Sequence, residues 1–295
     1  MKLHILGTAA QLPTRTRSQN AYFLDWPEEG ILFDPGEGAQ RQFTLAGISP
    51  GRIHRIFISH FHGDHCLGLP GILQRLSLME VPQTVKIYFP EEGTDFFQAL
   101  ANASQYTRRI EFEVHPLKEG LVEETGTHRI ECVSLDHSTP VLGYRFTLLP
   151  QWRFDPDLLT RYGLEGPPVG ELEQKGSLDW KGERLTREAL SYRTKEKVFA
   201  YVLDTGACPA IPGLIRHADC VLMEATYLES EQDLADAFRH MTAEQAARYA
   251  RGNGVRKLVL THYSERYKDL NIYQKAVENI FKNTHIAQDF DEIEF

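Results

Sequence analysis

The chain has 295 residues, of which 42% are hydrophobic, and a formal net charge of −9. That length fits one large domain or two ordinary ones, with enough apolar residues for a substantial core. The negative charge argues against a generally basic nucleic-acid-binding surface, so any contact with nucleic acid would come from a local patch. The first residues enter a strand pattern without the apolar segment of a signal peptide, and no apolar run approaches a membrane span. We therefore expect a cytoplasmic protein without a membrane segment.

The four cysteines are scattered along the chain and form no C-x-x-C pair. This spacing is typical of a reduced intracellular chain, and it offers neither a disulfide framework nor a thiolate zinc site. Cys66 lies beside a histidine-rich segment, so it either binds a metal there or begins a buried helix face. We favour the buried helix face.

Strand and helix patterns alternate along the chain, which predicts the α/β class. The Asp34-Pro35-Gly36 segment predicts a turn after the third strand. The predicted strands are Lys2–Leu6, Ala21–Trp26, Ile31–Asp34, Arg55–Ser59, Val85–Phe89, Glu111–His115, Arg129–Asp136, Val198–Leu203 and Lys257–Leu260, and the predicted helices include Gly38–Ala46, Leu67–Leu78 and Thr94–Ser104.

The most informative segment is Ser59-His60-Phe61-His62-Gly63-Asp64-His65, which follows the apolar run Ile56-Phe57-Ile58. If the strand continues, His60 and His62 point the same way and can share one metal ion. Asp64 and His65 would lie on a turn, free to face a second ion or to hold the attacking water. A solvated loop or a satisfied polar cluster is the alternative. We favour one half of a two-metal site, because four possible ligands fall within six residues.

Three later strand ends carry residues of the same kind. His137 follows the strand Arg129–Asp136, Asp204 follows Val198–Leu203, and His262 follows Lys257–Leu260 with one residue between. Each of these residues also has an ordinary interpretation as a satisfied polar side chain or a turn cap. Loops at one rim of a sheet can bring such residues together, so the recurrence favours a shared site.

The set His60-Phe61-His62-Gly63-Asp64-His65, His137, Asp204 and His262 resembles the metallo-β-lactamase superfamily. The surrounding motifs resemble its ribonuclease Z family, and the similarity covers nearly the whole chain. These motifs are Leu6-Gly7-Thr8, Gly68-Leu69-Pro70-Gly71, Glu224-Ala225-Thr226-Tyr227, the segment from His240 to Ala247, and Leu260-Thr261-His262-Tyr263-Ser264-Glu265-Arg266-Tyr267.

The resemblance implies a four-layer αββα sandwich, two zinc ions per chain at one rim of the sheets, and removal of 3′ trailers from precursor tRNA. It also implies that Asp64 orients or deprotonates the nucleophile. By the same resemblance the first ion is held by His60, His62 and His137, the second by Asp64, His65 and His262, and Asp204 bridges the two.

A proton for the leaving group has a candidate donor in His240, predicted to open an amphipathic helix whose small face comprises Ala243, Ala246, Ala247 and Ala250. Glu224 ends the apolar run Cys220–Met223, where a buried carboxylate needs a partner. The resemblance implies that His240 protonates the departing 3′ oxygen with the support of Glu224. A neutral histidine that caps a helix is the alternative.

Residues 150–197 differ from the sequence on either side of them. They lack long apolar strands and contain nine lysines and arginines together with Gly166-Pro167-Pro168. A solvated loop is one interpretation. The resemblance implies instead an arm, inserted into a single metallo-β-lactamase-fold domain over 1–295, that grips tRNA. It further implies a homodimer in which the arm of one subunit holds the tRNA that the other subunit cuts.

Three motifs depart from the family pattern without removing a predicted ligand. The chain has Leu203-Asp204-Thr205-Gly206 for Gly-Asp-Thr-Arg, Met223-Glu224 at the start of His-Glu-Ala-Thr, and Arg17-Ser18 for Arg-Asn. Another metallo-β-lactamase-fold hydrolase, acting on small phosphodiesters or thioesters, is the second hypothesis. A non-catalytic RNA-binding relative is the third, and the complete ligand set argues against it.

Overall fold

The structure, a computed structural model, describes residues 1–27 and 29–295. No helix in these two ranges is long and apolar enough to cross a lipid bilayer. The strands are β1 Lys2–Gly7, β2 Ala21–Trp26, β3 Glu29–Phe33, β4 Ile53–Phe57, β5 Val85–Pro90, β6 Phe112–Leu117, β7 Gly120–Glu124, β8 His128–Ser134, β9 Leu142–Leu148, β10 Trp152–Phe154, β11 Ser177–Trp180, β12 Glu183–Thr186, β13 Ser191–Arg193, β14 Lys197–Val202, β15 Cys220–Glu224, β16 Leu258–Thr261, β17 Thr284–Ile286 and β18 Glu292–Glu294. The helices are α1 Ala39–Leu45, α2 Gly63–Cys66, α3 Leu69–Leu78, α4 Thr94–Ala101, α5 Pro156–Tyr162, α6 Pro167–Lys175, α7 Ile211–Ile215, α8 Gln232–Phe238, α9 Ala243–Gly252 and α10 Asn271–Val277.

The described residues divide into two compact units. The larger unit comprises Met1–Val122, Ile130–Phe146 and Val198–Phe295. The smaller unit comprises Glu123–Arg129 and Thr147–Lys197.

Most of the larger unit consists of two seven-stranded sheets and the helices that cover them. The first sheet has the order β18-β1-β2-β3-β4-β5-β6, and its strands β3 to β6 are parallel. The second has the order β17-β16-β15-β14-β9-β8-β7, and its strands β14 to β17 are parallel. Parallel strands end at the same edge of a sheet, so the loops after them gather there.

Aromatic side chains fill the space between the two sheets. The ring of Phe33 on β3 stacks on Tyr201 of β14 with 4.6 Å between centroids, and Phe57 on β4 meets Phe146 of β9 at 5.1 Å. Helices α1, α3 and α4 cover the outer face of the first sheet, and α7, α9 and α10 cover that of the second. These layers form an αββα sandwich, which confirms the predicted fold class.

Helix α9 begins at Ala243 rather than at His240. Thr242 is its N-cap: the Thr242 hydroxyl accepts from the Gln245 N–H, and the Gln245 side chain accepts from the Thr242 N–H. This capping box satisfies the first N–H groups of the helix. His240 therefore lies in the loop between α8 and α9, and the prediction that it opens the helix is wrong. The predicted face of small residues is confirmed, since all four alanines are buried.

The smaller unit has its own architecture and is not a solvated loop. Strands β10 and β13 form one antiparallel ribbon and β11 and β12 another. Helix α5 begins at Pro156, and the side chain of Asp155 accepts hydrogen bonds from the backbone N–H groups of Asp157 and Leu158. A small core is formed by Leu164, Leu172, Leu185 and Leu190.

Candidate metal centre

The histidine-rich segment leaves β4 earlier than the alternation pattern predicts. Strand β4 ends at Phe57 rather than at the predicted Ser59, so His60 and His62 lie on an irregular loop, and the prediction that strand alternation continues through them is wrong. The Ser59 N–H donates to the Asp34 carboxylate at 2.6 Å instead of to a neighbouring strand, which ends the ladder. Asp64 lies within the short helix α2 rather than on an open turn.

Four of the predicted site residues form a first group of possible ligand atoms. The Nδ1 atom of His62 lies 3.0 Å from His60 Nε2 and 3.3 Å from His137 Nε2. Oδ2 of Asp204 lies 3.5 Å from His60 Nε2 and 3.8 Å from His137 Nε2. Three imidazoles and one carboxylate oxygen therefore surround a single point.

A second group adjoins the first on the other side of Asp204. Oδ1 of Asp204 lies 3.0 Å from His262 Nε2 and 3.3 Å from His65 Nε2. Asp64 Oδ2 lies 3.5 and 3.4 Å from the same two nitrogens. The two oxygens of Asp204 thus face different groups, the arrangement that a bridging carboxylate needs.

Two atoms of this cluster are buried without a hydrogen-bond partner among the described residues, namely Asp204 Oδ1 and His262 Nε2. A buried polar atom left unpaired costs roughly 1–3 kcal/mol. A cation between these donors would remove that cost, because both atoms have a lone pair to share. Nitrogen and oxygen donors in this combination suit Zn²⁺. The residues present therefore fit a pair of metal ions.

Hydrogen bonds behind the cluster fix which nitrogen of two rings carries the proton. His65 Nδ1 lies 2.7 Å from Asp34 Oδ2, and a carboxylate can only accept, so Nδ1 is protonated and Nε2 presents its lone pair. The Ser59 hydroxyl donates to the same Asp34 oxygen at 2.6 Å, so it accepts from His60 Nδ1 at 2.9 Å. Such outer partners orient metal-binding imidazoles.

Two further rings are oriented by the same principle. His137 Nδ1 donates to the Arg239 carbonyl at 3.1 Å. The Thr226 hydroxyl donates to Glu224 at 2.6 Å and therefore accepts from His262 Nδ1 at 2.8 Å. In all four rings Nε2 is the nitrogen that faces Asp204.

Three polar residues at the strand ends adopt left-handed backbone conformations. The φ angles are 42° at Asp34, 44° at Asp204 and 60° at His262. Asp and His adopt this region more readily than most residues, but each such residue still carries a backbone strain of roughly 1–3 kcal/mol that the surroundings must hold. Each strand thus turns sharply where it delivers its polar side chain to the rim.

The charges of the cluster favour a bound cation. Burial opposes the charge on Asp204, but the imidazoles of His262 and His65 hold its pKa well below the usual range. Burial likewise opposes a charge on His65, and the carboxylates of Asp204 and Asp64 overcome it and raise the pKa of His65 well above the ordinary value. The carboxylates therefore attract positive charge, as a proton or as a metal ion.

His240 and Glu224 form a pair beside the cluster. His240 Nδ1 lies 3.0 Å from Glu224 Oε1, and Glu224 is fully buried. Burial opposes the charge on His240, but the Glu224 carboxylate outweighs it and raises the pKa of His240 to about 9. A ring nitrogen of His240 also lies within 4.8 Å of possible ligand atoms on Asp204 and His262. The pair is therefore placed to hold a proton at the edge of the cluster.

A cleft of about 690 Å³ opens onto both groups. Cys66 does not line it; its thiol is buried and donates to the His62 carbonyl, as the helix-face interpretation predicts. The residues lining the cleft include His62, Asp64, His137, Asp204, His240 and His262 together with Gln11, Leu12, Leu67, Tyr227, Phe238 and Arg266.

Sequence reasoning missed Asp34 and Thr226 as parts of this site. Asp34 was predicted as a turn residue, yet it is fully buried and also accepts from the Tyr201 hydroxyl at 2.6 Å. The signal was present: Asp34 follows an apolar strand, as Asp204 does. Thr226 gave no such signal, because its role depends on the rings it lies between.

The chain is similar to known proteins over nearly its whole length. Residues 14–146 match the model of the metallo-beta-lactamase superfamily, and residues 171–263 match that of the beta-lactamase superfamily domain. The chain is 42% identical over 295 residues to the Ribonuclease Z of Nocardia farcinica, covering 99% of this chain and 97% of the relative. It is 46% identical over 283 residues to the Ribonuclease Z of Salinispora arenicola, covering 95% and 91%.

Among solved structures, the chain resembles the short form of human tRNase Z. The TM-score is 0.71 at 24% identity, and the alignment covers 100% of this chain and 99% of the human chain. At that identity the likeness establishes a shared fold.

Proposed function

This chain belongs to the ribonuclease Z family of the metallo-β-lactamase superfamily, and we propose that it is a zinc-dependent endoribonuclease that removes 3′ trailers from precursor tRNA. The observation that carries the proposal is the convergence of the predicted ligand residues on the two sides of Asp204, with four rings presenting Nε2. We also propose a cytoplasmic location for this reaction.

Each residue of the cluster has a proposed role. Zinc ions held there would acidify a water molecule and neutralise charge on the phosphodiester. Asp64 accepts the Gln11 N–H at 2.8 Å through Oδ2, which fixes its carboxylate to orient or deprotonate the attacking water. The ligands of the first ion would be His60, His62 and His137, those of the second Asp64, His65 and His262, with Asp204 shared.

His240 would supply the proton that the leaving group needs. Glu224 accepts from Nδ1, so the other ring nitrogen holds the transferable proton. The raised pKa of His240 keeps that proton in place at neutral pH. As water attacks phosphorus and the bond to the 3′ oxygen breaks, His240 protonates that oxygen and leaves a 3′ hydroxyl on the tRNA.

The smaller unit is the proposed tRNA-binding arm, and it is not basic as a whole. Residues 147–197 contain nine lysines and arginines and also nine aspartates and glutamates, so the segment is formally neutral within a chain of −9. Two of the nine cations, Arg153 and Arg193, lie on the ribbon formed by β10 and β13. On the β10–β13 ribbon, Trp152 lies opposite Arg193, and Arg153 lies opposite Tyr192.

All four of these ribbon residues are exposed, including 44% of Trp152 and 53% of Tyr192. Arginine binds phosphates, and an exposed aromatic ring can stack on a base or pack on a ribose. We infer that this ribbon contacts the RNA backbone. We further infer a homodimer in which the arm of one subunit holds the tRNA that the other subunit cuts, as family membership suggests.

The test of the reaction uses a 3′-extended precursor tRNA beside an unstructured RNA of equal length. We expect about two zinc ions per chain by elemental analysis, and cleavage of the precursor alone at the trailer junction. His60→Ala and Asp204→Ala should lose zinc and activity, because each removes a ligand. His285→Ala is the matched control, since His285 is exposed and pairs with Asp291 outside the cluster. A fully active His60→Ala protein contradicts the two-metal proposal.

The test of the arm is the salt dependence of tRNA binding. Arg153→Ala and Arg193→Ala should each weaken binding and reduce the slope of log K against log salt by roughly one. Lys175→Ala is the control within the same unit, because Lys175 already pairs with Glu171 at 2.7 Å. If the two arginine variants bind tRNA with the same salt dependence as the parent protein, the role of the ribbon is wrong. If the parent protein cleaves small phosphodiesters but not precursor tRNA, it is a generic hydrolase.

A further inference from the structure

The rim of the cleft presents three exposed apolar side chains. Leu12 is 54% exposed, Leu67 is 53% and Phe238 is 56%, and all three line the cleft that contains the proposed metal ligands. We propose that Phe238 stacks on one of the two nucleobases that flank the scissile phosphate, and that Leu12 and Leu67 form the apolar surface for the other. This inference rests on the proposed ribonuclease function.

Phe238 is held on the side of the first ligand group. It is the last residue of α8, and the next residue, Arg239, accepts the His137 Nδ1–H through its carbonyl at 3.1 Å. The Arg239 guanidinium also donates to the His137 carbonyl at 2.9 Å. The backbone that carries Phe238 is therefore anchored on both sides of one predicted ligand.

Leu12 and Leu67 are held on the side of the second group. The residue before Leu12 is Gln11, whose N–H donates to Asp64 Oδ2 at 2.8 Å. The Leu67 side chain packs on Gly63, the residue before Asp64: a Cβ on Gly63 would lie 2.9 Å from Leu67 Cδ1. Phe238 thus adjoins a residue bonded to a ligand of the first group, and Leu12 adjoins a residue bonded to a ligand of the second.

The chemistry of the substrate requires a partner on each side. A phosphodiester bound at the cluster has one nucleoside on the 5′ side and one on the 3′ side, so two bases must pass the rim. Bases offer π faces that stack on aromatic rings irrespective of sequence. Exposed apolar side chains at these positions would lose water on binding, which favours a flat base over a phosphate or a ribose.

The experiment is a double-mutant cycle between protein and RNA. The substrates are a precursor tRNA and two versions with a single abasic nucleotide, placed directly 5′ or directly 3′ of the scissile phosphate. On the intact precursor, Phe238→Ala should lower kcat/KM roughly 5- to 100-fold, the range for one lost base–aromatic stack. On one of the two abasic precursors, Phe238→Ala should lower kcat/KM little further, because the base that it stacks on is already absent. On the other abasic precursor, Leu12→Ala should likewise lower kcat/KM little further.

Two matched substitutions test for general effects of removing exposed apolar groups. Phe290 is 44% exposed and Leu78 is 76% exposed, and neither lines the cleft. Phe290→Ala and Leu78→Ala should leave kcat/KM unchanged on all three substrates. Phe238→Trp should retain activity and coupling because it keeps a ring, whereas Phe238→Leu keeps apolar volume and should lose coupling. Zinc content and circular dichroism establish that each variant is folded and loaded.

The outcomes separate the inference from the function on which it rests. If the parent protein cuts the precursor and the losses from Phe238→Ala add fully to those from both abasic sites, base stacking by Phe238 is wrong and the ribonuclease function stands. If the parent protein cuts no precursor at the trailer junction, the ribonuclease function fails and the inference fails with it. Coupling of Phe238 and Leu12 to the same nucleotide would contradict the assignment of one base to each side.

Discussion

Asp34→Asn tests whether the carboxylate behind the cluster sets the metal-binding form of His65. Oδ2 of Asp34 accepts from the Ser59 hydroxyl, His65 Nδ1 and the Tyr201 hydroxyl, while Oδ1 accepts from the Ser59 N–H. Asparagine has the same shape but replaces one acceptor by an NH₂ donor. Whichever way the amide turns, its NH₂ group faces at least one donor in a fully buried place.

The magnitude follows from which atom becomes nitrogen. With nitrogen at Oδ1, one hydrogen bond to a charged acceptor is lost and two donors face each other, a cost of about 3–5 kcal/mol in stability. With nitrogen at Oδ2, the amide donates to His65 Nδ1, and the ring proton moves to Nε2. Protonated Nε2 then has no lone pair for a metal ion beside Asp204, so zinc affinity should fall about 10- to 100-fold.

The assay is competition for zinc against a chromogenic chelator, beside cleavage at increasing zinc. We expect weaker binding of one of two ions and recovery of cleavage at excess zinc. Tyr201→Phe is the control, because it removes one donor to Asp34 and keeps the contact between Asp34 and His65. If Asp34→Asn binds two zinc ions as tightly as the parent protein, the argument from the ring proton is refuted.

Three further predictions concern the acid, a buried carboxyl and the insert. His240→Ala should lower turnover about 10²- to 10⁴-fold with zinc content unchanged; loss of zinc would make His240 a ligand. Burial raises the pKa of Asp289 to about 6, so the native state keeps a proton that the unfolded chain loses near pH 4. The contribution of Asp289 to the free energy of unfolding should therefore fall by up to about 1.4 kcal/mol per pH unit from pH 4 to 6. In chemical denaturation of the metal-free proteins, the difference in the free energy of unfolding between the parent and Asp289→Asn should show this slope; a difference that does not change with pH would contradict it. Replacing residues 154–193 by a short linker should preserve zinc binding and cleavage of small diesters but weaken cleavage of precursor tRNA, and unimpaired cleavage at physiological salt would refute the role of the arm.

The layers of this fold could be predicted because its strands carry strong local signals. Ala21–Trp26 has the predicted bounds, and Glu224 ends its strand as expected. The resemblance to the ribonuclease Z family is confirmed by relatives that match nearly the full length. His60 follows β4 of the first sheet and His137 follows β8 of the second, so their meeting followed from the resemblance rather than from local pattern.

Three other features were not predicted, each for a different reason. His60 and His62 leave the strand because Asp34 takes the N–H of Ser59. The start of α9 was predicted too early because the capping role of Thr242 was overlooked, although Thr242 and Gln245 have the spacing of a capping box. The compact fold of residues 147–197 was not predicted, since its small core is assembled from leucines scattered among polar residues.

The position of that smaller unit in the chain has a consequence for how such enzymes diversify. The chain enters residues 149–196 from β9 and returns in β14, and these two strands are neighbours in the second sheet. Neighbouring strands lie about 5 Å apart, so a short hairpin loop could make the same connection without any change in strand order. The segment could thus be lengthened, shortened or exchanged while the sheet keeps its pairing, and the proposed RNA contact could change independently of the ligand residues at the edge of the sheets.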